Sequence, residues 1–209
     1  RRLGAPAITP GASPTATLHE PFAHTWRAQI LTGPPMIAPV RQFTFPMAVA
    51  GEEDAMARGA LYAMIGPGPG AGGQFLATCA LGFHEPSLPS GIWSCPRPAD
   101  MLAVAGGYGY LVDTESPAGC LHLPQKPITS VLAARDEGLL LLAGFHNIIA
   151  VNADGLAWES QRVSWEGVTI GDVVGGALHG TGWDLMRDEE MLFVMDLRTG
   201  AHTGGGYRR

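Results

Sequence analysis

Three tryptophans in the C-terminal half of the chain each precede a carboxylate: Trp158 and Glu159, Trp165 and Glu166, Trp183 and Asp184. A tryptophan ring offers a platform for the apolar face of a sugar, and glycosidic cleavage uses two carboxylates that flank the scissile bond. These pairs predict a carbohydrate-binding or glycoside-cleaving site. The alternative interpretation is that the tryptophans pack in the core and that the acids lie on solvated hairpin turns.

Arg162 lies between the first two of these tryptophans. Trp158 and Trp165 are an odd number of positions apart, and in an extended chain an odd spacing places two side chains on opposite faces unless a turn intervenes. We therefore expect one tryptophan in the core and the other at the surface. An exposed tryptophan beside Arg162 is typical of a protein-interaction hot spot.

The sequence lacks the motifs of common enzyme classes. It has no Gly-x-Ser-x-Gly elbow, and the glycine-rich segment 66–73 is not followed by the Lys-Ser/Thr pair of a phosphate-binding loop. No two histidines have the i, i+4 spacing of helical metal ligands, and Cys79, Cys95 and Cys120 form no CxxC motif. We predict no catalytic residue, no metal site and no cofactor. The cysteines are either small buried apolar residues or one disulfide and a free thiol.

The charge pattern bears on the class of partner. The formal net charge is −6, and Lys126 is the only lysine, so the chain has no cluster of cations that could follow a phosphate backbone. No apolar run approaches the roughly 20 residues that span a bilayer. The sequence therefore predicts no nucleic-acid partner and no transmembrane segment, and it leaves the cellular compartment open.

The distribution of glycine and proline predicts the elements that must position these residues. The chain has 29 glycines and 17 prolines, which outside the N-terminal region separate short apolar runs. This pattern favours many short strands joined by turns. We predict strands at 42–49, 60–65, 74–83, 91–95, 101–105, 108–113, 128–134, 139–143, 148–152, 156–159, 168–174, 177–181 and 191–197. For residues 54–64 a short helix is the alternative.

The first 40 residues differ from the rest because seven prolines block both helices and central strands. We predict an extended arm at 1–40 and a single all-β domain at 41–209. The arm carries an apolar patch that includes Phe22, Trp26 and Ile30. This patch either packs on its own domain or contacts a partner, and we predict a protein partner or a homo-oligomer.

A weak internal repeat is present from Gly91 onward. Asp113, Asn152 and Asp196 each end an apolar run, at intervals of roughly 40 residues, the length of one four-stranded propeller blade. Around them the sequence resembles blades of the WD40-like and quinoprotein-like β-propeller families over about half the chain. The resemblance rests on these segments: Ala143-Gly144, Ala150-Val151-Asn152, Asp154-Gly155, Trp158, and Met195 to Gly200.

The fold prediction is therefore all-β, with short antiparallel strands behind an extended proline-rich arm. It leaves two architectures open, a small or partial β-propeller and a β-sandwich or meander. The functional prediction is a non-catalytic protein-interaction or accessory β-domain that binds a partner through its surface and its arm. The alternative is the carbohydrate site described above.

Overall fold

The computed structural model describes residues 13–46 and 58–207, and these residues form strands and no α-helix. In chain order the strands are β1 (Thr17–His19), β2 (Arg27–Leu31), β3 (Arg41–Phe45), β4 (Ala60–Gly66), β5 (Phe75–Ala80), β6 (Gly91–Ser94), β7 (Asp100–Ala105), β8 (Tyr108–Asp113), β9 (Leu121–His122), β10 (Ser130–Ala134), β11 (Leu139–Ala143), β12 (Ile148–Asn152), β13 (Gly155–Glu159), β14 (Val168–Val174), β15 (Ala177–Asp184), β16 (Glu189–Asp196) and β17 (His202–Gly204).

The strands form four separate sheets. Sheet I has the order β2-β4-β5-β3, sheet II β1-β6-β7-β8-β9, sheet III β10-β11-β12-β13 and sheet IV β14-β15-β16-β17. Neighbouring strands are antiparallel except for the pairs β1 with β6 and β3 with β5. Sheets III and IV are simple meanders, because each strand pairs with the next one along the chain.

Three hydrophobic clusters join the sheets in a row that follows the chain. The first cluster contains side chains of sheets I and II, the second those of sheets II and III, and the third those of sheets III and IV. Within the described residues no cluster joins sheet I to sheet IV, and the strands form no closed barrel. The row is therefore open at its two ends.

The central strands of the two middle sheets are buried on both faces. In β7, Met101 and Ala103 face sheet I, while Leu102 and Val104 face sheet III. Successive side chains of a strand point to opposite faces, so a sheet covered on both sides needs apolar residues at every position. The run Leu139–Ala143, which is buried throughout, meets this requirement. Continuous apolar runs of strand length are thus explained by the two-sided cover.

The all-β prediction is confirmed, and most strand bounds agree within two residues. For residues 54–64, where a short helix was the alternative, the part that the structure describes leads into β4. Residues 54–57, and residues 47–49 of the strand predicted at 42–49, lie outside the described residues. No helix in the described part of the chain is long and apolar enough to cross a membrane.

Two segments of the proline-rich N-terminal region are strands of the sheets. β1 pairs with β6 and β2 pairs with β4. Trp26 is buried in the first cluster, where its indole N–H donates to the carbonyl of Asp100 at 2.9 Å, and Ile30 packs against the same cluster. Phe22 packs against the second cluster. The structure thus places all three predicted contact residues of the arm against their own chain.

The three residues of the internal repeat occupy equivalent positions. Asp113, Asn152 and Asp196 end the third strand of their meanders, which are β8, β12 and β16. In each case the side-chain oxygen accepts a hydrogen bond from the backbone N–H two residues later, at 2.8–2.9 Å. Such Asx turns give a hydrogen-bond acceptor to a backbone N–H group that lies beyond the end of the strand and has no partner on a neighbouring strand. The repeat therefore marks the same turn in three sheets.

Gly180 in β15 provides a test of the packing between neighbouring strands of sheet IV. A Cβ atom there would lie 2.6 Å from Cζ of Phe193 and would also clash with the carbonyl oxygen of Thr169. We expect Gly180→Ala to lower the free energy of unfolding by about 1–3 kcal/mol, because neither neighbour can withdraw freely. Gly73→Ala is the control, since its Cβ would meet nothing within 4 Å. Equal urea midpoints for the two variants would contradict this packing.

The three cysteines are free thiols, two of them buried and Cys120 partly buried. Burial raises the pKa of Cys120 to about 12 and the pKa of Cys79 and Cys95 further above the usual thiol range. We expect a thiol reagent at pH 8 to label the folded chain slowly and the chain in guanidinium rapidly at three sites.

The same pKa difference predicts how stability depends on pH. Above about pH 8.5 the thiols of the unfolded chain ionise while those of the folded chain stay protonated, so the free energy of unfolding falls as the pH rises. Rapid labelling of the native chain by the thiol reagent at pH 8 would contradict both expectations, because it would show that the thiols are not buried as described.

Candidate functional site

The connection between β13 and β14, residues 160–167, carries the central part of the predicted binding region. It runs past the turn that joins β11 to β12, where the carbonyl of His146 accepts hydrogen bonds from the backbone N–H groups of Val163 and Ser164 at 2.7 and 3.2 Å. At its other end the N–H of Trp165 donates to the carbonyl of Trp183 at 3.0 Å. The connection is thereby tied to both sheet III and sheet IV.

Ser164 fixes the shape of this connection. Its hydroxyl donates to the carbonyl of Gly167 at 2.7 Å and accepts from the backbone N–H groups of Trp183 and Glu166 at 2.8 and 3.2 Å. The side chain is fully buried. Because all of its hydrogen-bonding capacity is used by the backbone, Ser164 holds the loop and is not an available nucleophile.

The guanidinium group of Arg162 lies against two aromatic rings. Its central carbon is 4.7 Å from the ring centroid of Trp165 and 4.7 Å from that of Tyr207, and the two rings meet edge to face at 4.9 Å. The arginine Nε and Nη2 donate to the carbonyls of Ser164 and Trp165 at 3.0 and 3.1 Å. We call Arg162, Trp165 and Tyr207 the Arg162 cluster. All three residues are half-buried, so each keeps a solvent-facing part.

Two shallow clefts open beside the Arg162 cluster. One is lined by His146, Asn147, Glu159, Ser160 and Gln161 together with Arg162, and the other by Gln161, His202 and Tyr207 together with Arg162. Burial lowers the pKa of His202, so this imidazole is neutral at pH 7. Arg162 is therefore the common charged group of both clefts.

Trp158 is not part of this surface. Its indole N–H donates to the carbonyl of Leu197 at 2.8 Å, and its ring lies so close to Gly200 that a Cβ there would be 2.5 Å from the ring. The side chain packs against the third cluster, between sheets III and IV. The ring is half-buried, so part of it still faces solvent. Its neighbour Glu159 is exposed and accepts a hydrogen bond from the amide of Asn147 at 2.6 Å.

The remaining acidic residues, Asp184 and Glu166, have different positions and roles. Asp184 is only 3% exposed and accepts hydrogen bonds from the backbone N–H groups of Met186 and Arg187, which shapes the turn after β15. Glu166 is exposed at the end of the connection. Trp183 contributes its backbone to the region and keeps a half-buried side chain. The structure therefore brings Arg162 and Trp165 together and gives the acids structural or peripheral positions.

Two residues of the site were not predicted from the sequence in these roles. Tyr207 follows a run of three glycines near the C-terminus, and no local pattern links it to Arg162. Ser164 carries no glycine elbow and no neighbouring base, so its sequence context predicts nothing about its hydrogen bonds. The only usable signal was the proximity of Arg162 and Trp165 along the chain, which favoured a hot spot.

The histidines that the structure describes lie in separate environments. His19 stacks on Trp93 at 4.5 Å, and His122 stacks on Tyr110 at 4.8 Å. Among the residues that the structure describes, no group of three or more histidine, cysteine, aspartate or glutamate side chains is placed to hold a metal ion.

Comparison with protein-family models and with curated proteins finds no match to this chain. The resemblance to propeller blades stays a prediction.

Ser164→Ala tests the role of the buried hydroxyl. The substitution removes three hydrogen bonds and leaves two backbone N–H groups and one carbonyl without their partner, so we expect the free energy of unfolding to fall by about 1–3 kcal/mol. The exposed Ser87 serves as the control, because Ser87→Ala removes a hydroxyl already in water. Urea denaturation followed by tryptophan fluorescence measures both variants. An unchanged midpoint for Ser164→Ala would contradict the assigned role.

Proposed function

We propose that this chain is a non-catalytic protein-interaction domain that binds a polypeptide partner through the Arg162 cluster. The observation that carries the proposal is the arginine held 4.7 Å from both the Trp165 and the Tyr207 ring centroids. Tryptophan, tyrosine and arginine are the residues most enriched in the energetic centres of protein interfaces. The predicted arm contact is not included, because Trp26 and Ile30 pack in the first cluster.

The stacking and the two hydrogen bonds favour binding because they fix the arginine in advance. A free arginine side chain loses considerable rotamer freedom when a partner immobilises it, and that loss weakens binding. Arg162 is already restrained by the carbonyls of Ser164 and Trp165. Most of the entropic cost of ordering the side chain is thus met on folding, before a partner arrives.

The unused donors of Arg162 indicate the chemistry of the partner. Its hydrogen bonds use Nε and Nη2, and within the described part of the chain Nη1 donates to no acceptor. A guanidinium group pairs best with a planar carboxylate, which accepts two parallel hydrogen bonds. The proposed contact is therefore an aspartate, a glutamate or a C-terminal carboxylate of the partner, flanked by apolar residues that cover Trp165 and Tyr207.

Selection of peptides on the immobilised 209-residue chain tests this function. From a random peptide library displayed on phage we expect carboxylate-containing sequences, with affinities measured by fluorescence anisotropy. Arg162→Ala and Trp165→Ala are each expected to weaken binding by about tenfold or more, as for hot-spot residues. Arg162→Lys keeps the charge but loses the planar fork, and it is also expected to weaken binding.

Arg135→Ala is the matched control, since Arg135 is an exposed arginine in the turn between β10 and β11. The proposal fails if the selection yields no binding peptide, or if the peptides bind Arg162→Ala as tightly as the unmodified chain. Polysaccharides form a separate arm of the assay. Quenching of tryptophan fluorescence by a polysaccharide, lost in Trp165→Ala, would favour the carbohydrate function over the one proposed.

A further inference from the structure

Two opposite charges lie at the Arg162 cluster and do not pair with each other. Glu159 ends β13 and Arg162 follows three residues later, so their Cα atoms are at most about 10 Å apart. Neither side chain forms an ion pair with any charged residue in the described ranges 13–46 and 58–207. The surface therefore carries a carboxylate and a guanidinium group whose charges are both available to a partner.

Neutral groups hold these two charges in place. The Glu159 carboxylate accepts a hydrogen bond from the side-chain amide of Asn147 at 2.6 Å. Arg162 donates to two backbone carbonyls and lies against the two aromatic rings of its cluster. Because all of these contacts are with uncharged groups, they restrain both side chains without cancelling either charge.

The two clefts beside Arg162 differ in charge. We call the cleft that contains Glu159 and His146 the Glu159 cleft, and the cleft that contains His202 and Tyr207 the Tyr207 cleft. Arg162 borders both, and no carboxylate is among the described residues that line the Tyr207 cleft. A partner's carboxylate would meet a like charge in the Glu159 cleft and only the guanidinium in the Tyr207 cleft. Coulomb interaction therefore favours the Tyr207 cleft for an acidic residue.

Asp196 does not change this distribution of charge. It lines a further cleft that also includes His202, so it is the carboxylate that borders the Tyr207 cleft from the side of sheet IV. Its two oxygens accept hydrogen bonds from Nε and Nη2 of Arg198 at 3.2 and 2.8 Å. The positive charge of Arg198 thus offsets that of Asp196, whereas Glu159 has no cation beside it.

We infer that the partner segment carries an acidic and a basic residue two to four positions apart, the acidic residue in the Tyr207 cleft against Arg162 and the basic residue against Glu159. The inference rests on the proposed function, because it names the chemistry of the segment that the Arg162 cluster binds. An extended chain rises about 3.3 Å per residue, so this spacing spans about 7–13 Å and brackets the separation of Glu159 and Arg162. A segment with two acidic residues would place one of them against Glu159.

The exposure of Glu159 sets the size of the expected effect. Water and salt screen an exposed ion pair, so its loss is expected to weaken binding only about two- to fivefold. Reversal of one charge replaces attraction with repulsion, and we expect about three- to tenfold. Arg162, which is half-buried and restrained, remains the stronger contact of the two.

Selection from a random seven-residue peptide library displayed on phage tests the inference on the full chain and two variants. On the unmodified chain we expect Lys or Arg to be enriched two to four positions from the selected carboxylate. On Glu159→Lys we expect Asp or Glu to be enriched there instead. Glu115→Lys is the matched control, because it changes the net charge equally at an exposed glutamate between β8 and β9, and it is expected to keep the preference for Lys or Arg.

Fluorescence anisotropy then measures the most enriched peptide and two derivatives in which its basic residue is replaced by alanine or glutamate. We expect the alanine derivative to bind the unmodified chain about two- to fivefold more weakly and the glutamate derivative about three- to tenfold more weakly. With Glu159→Lys the order of the three peptides is expected to reverse. A variant that failed to fold would bind none of them, so only the predicted contact gives this reversal.

Two further substitutions test which cleft holds the carboxylate. His202→Glu places an acid in the Tyr207 cleft and is expected to weaken the same peptide by about tenfold, whereas His146→Glu adds an acid to the Glu159 cleft and is expected not to weaken it. Circular dichroism verifies that both variants keep their strands. The opposite result for the two histidines would overturn the arrangement.

The selection separates failure of this inference from failure of the proposed function. Peptides that carry a carboxylate but no enriched basic residue, or a preference that Glu159→Lys leaves unchanged, would overturn the inference and leave the proposed function standing. A selection that yields no binding peptide would overturn both.

Discussion

A β-sheet has two faces, and the central strands of sheets II and III bury both of them. Every other feature of the fold depends on this requirement. A sheet that is apolar on both sides is stable only between two neighbours, so the chain must supply a sheet before sheet II and a sheet after sheet III. Sheets I and IV provide this cover, and both direct one apolar face inward. The row of four sheets follows from the two in its middle.

The same requirement explains how the N-terminal region and the connections are arranged. Trp26 and Ile30 from the proline-rich region pack into and against the first cluster, between sheets I and II. At the other end, the connection 160–167 must cross from sheet III to sheet IV while its backbone groups are partly buried. Ser164 and the carbonyl of His146 supply the hydrogen bonds that this crossing needs. The Arg162 cluster is built on that crossing, at the edge of the third cluster.

Local chemistry made much of the fold predictable. Short segments rich in aliphatic residues and separated by turn residues predicted strands 139–143, 148–152 and 168–174 with the bounds that the structure has. Asp113, Asn152 and Asp196 were recognisable because an Asx turn needs that side chain at that point. The short strands β1 and β2 were not recognised. Their sequences are surrounded by prolines, and each is a strand only because another strand lies beside it.

The sequence by itself determined most of the strands between Arg41 and Leu197, where they turn, and that Arg162 and a tryptophan lie close together, because these depend on side-chain alternation and turn chemistry over a few residues. Only the tertiary structure decided that Trp158 faces inward, that Tyr207 reaches Arg162 from near the end of the chain, and that Leu192 and Val194 lie on an open face. Those outcomes depend on the order in which the sheets stack. Contacts between residues far apart in the chain set that order, and no single segment encodes them.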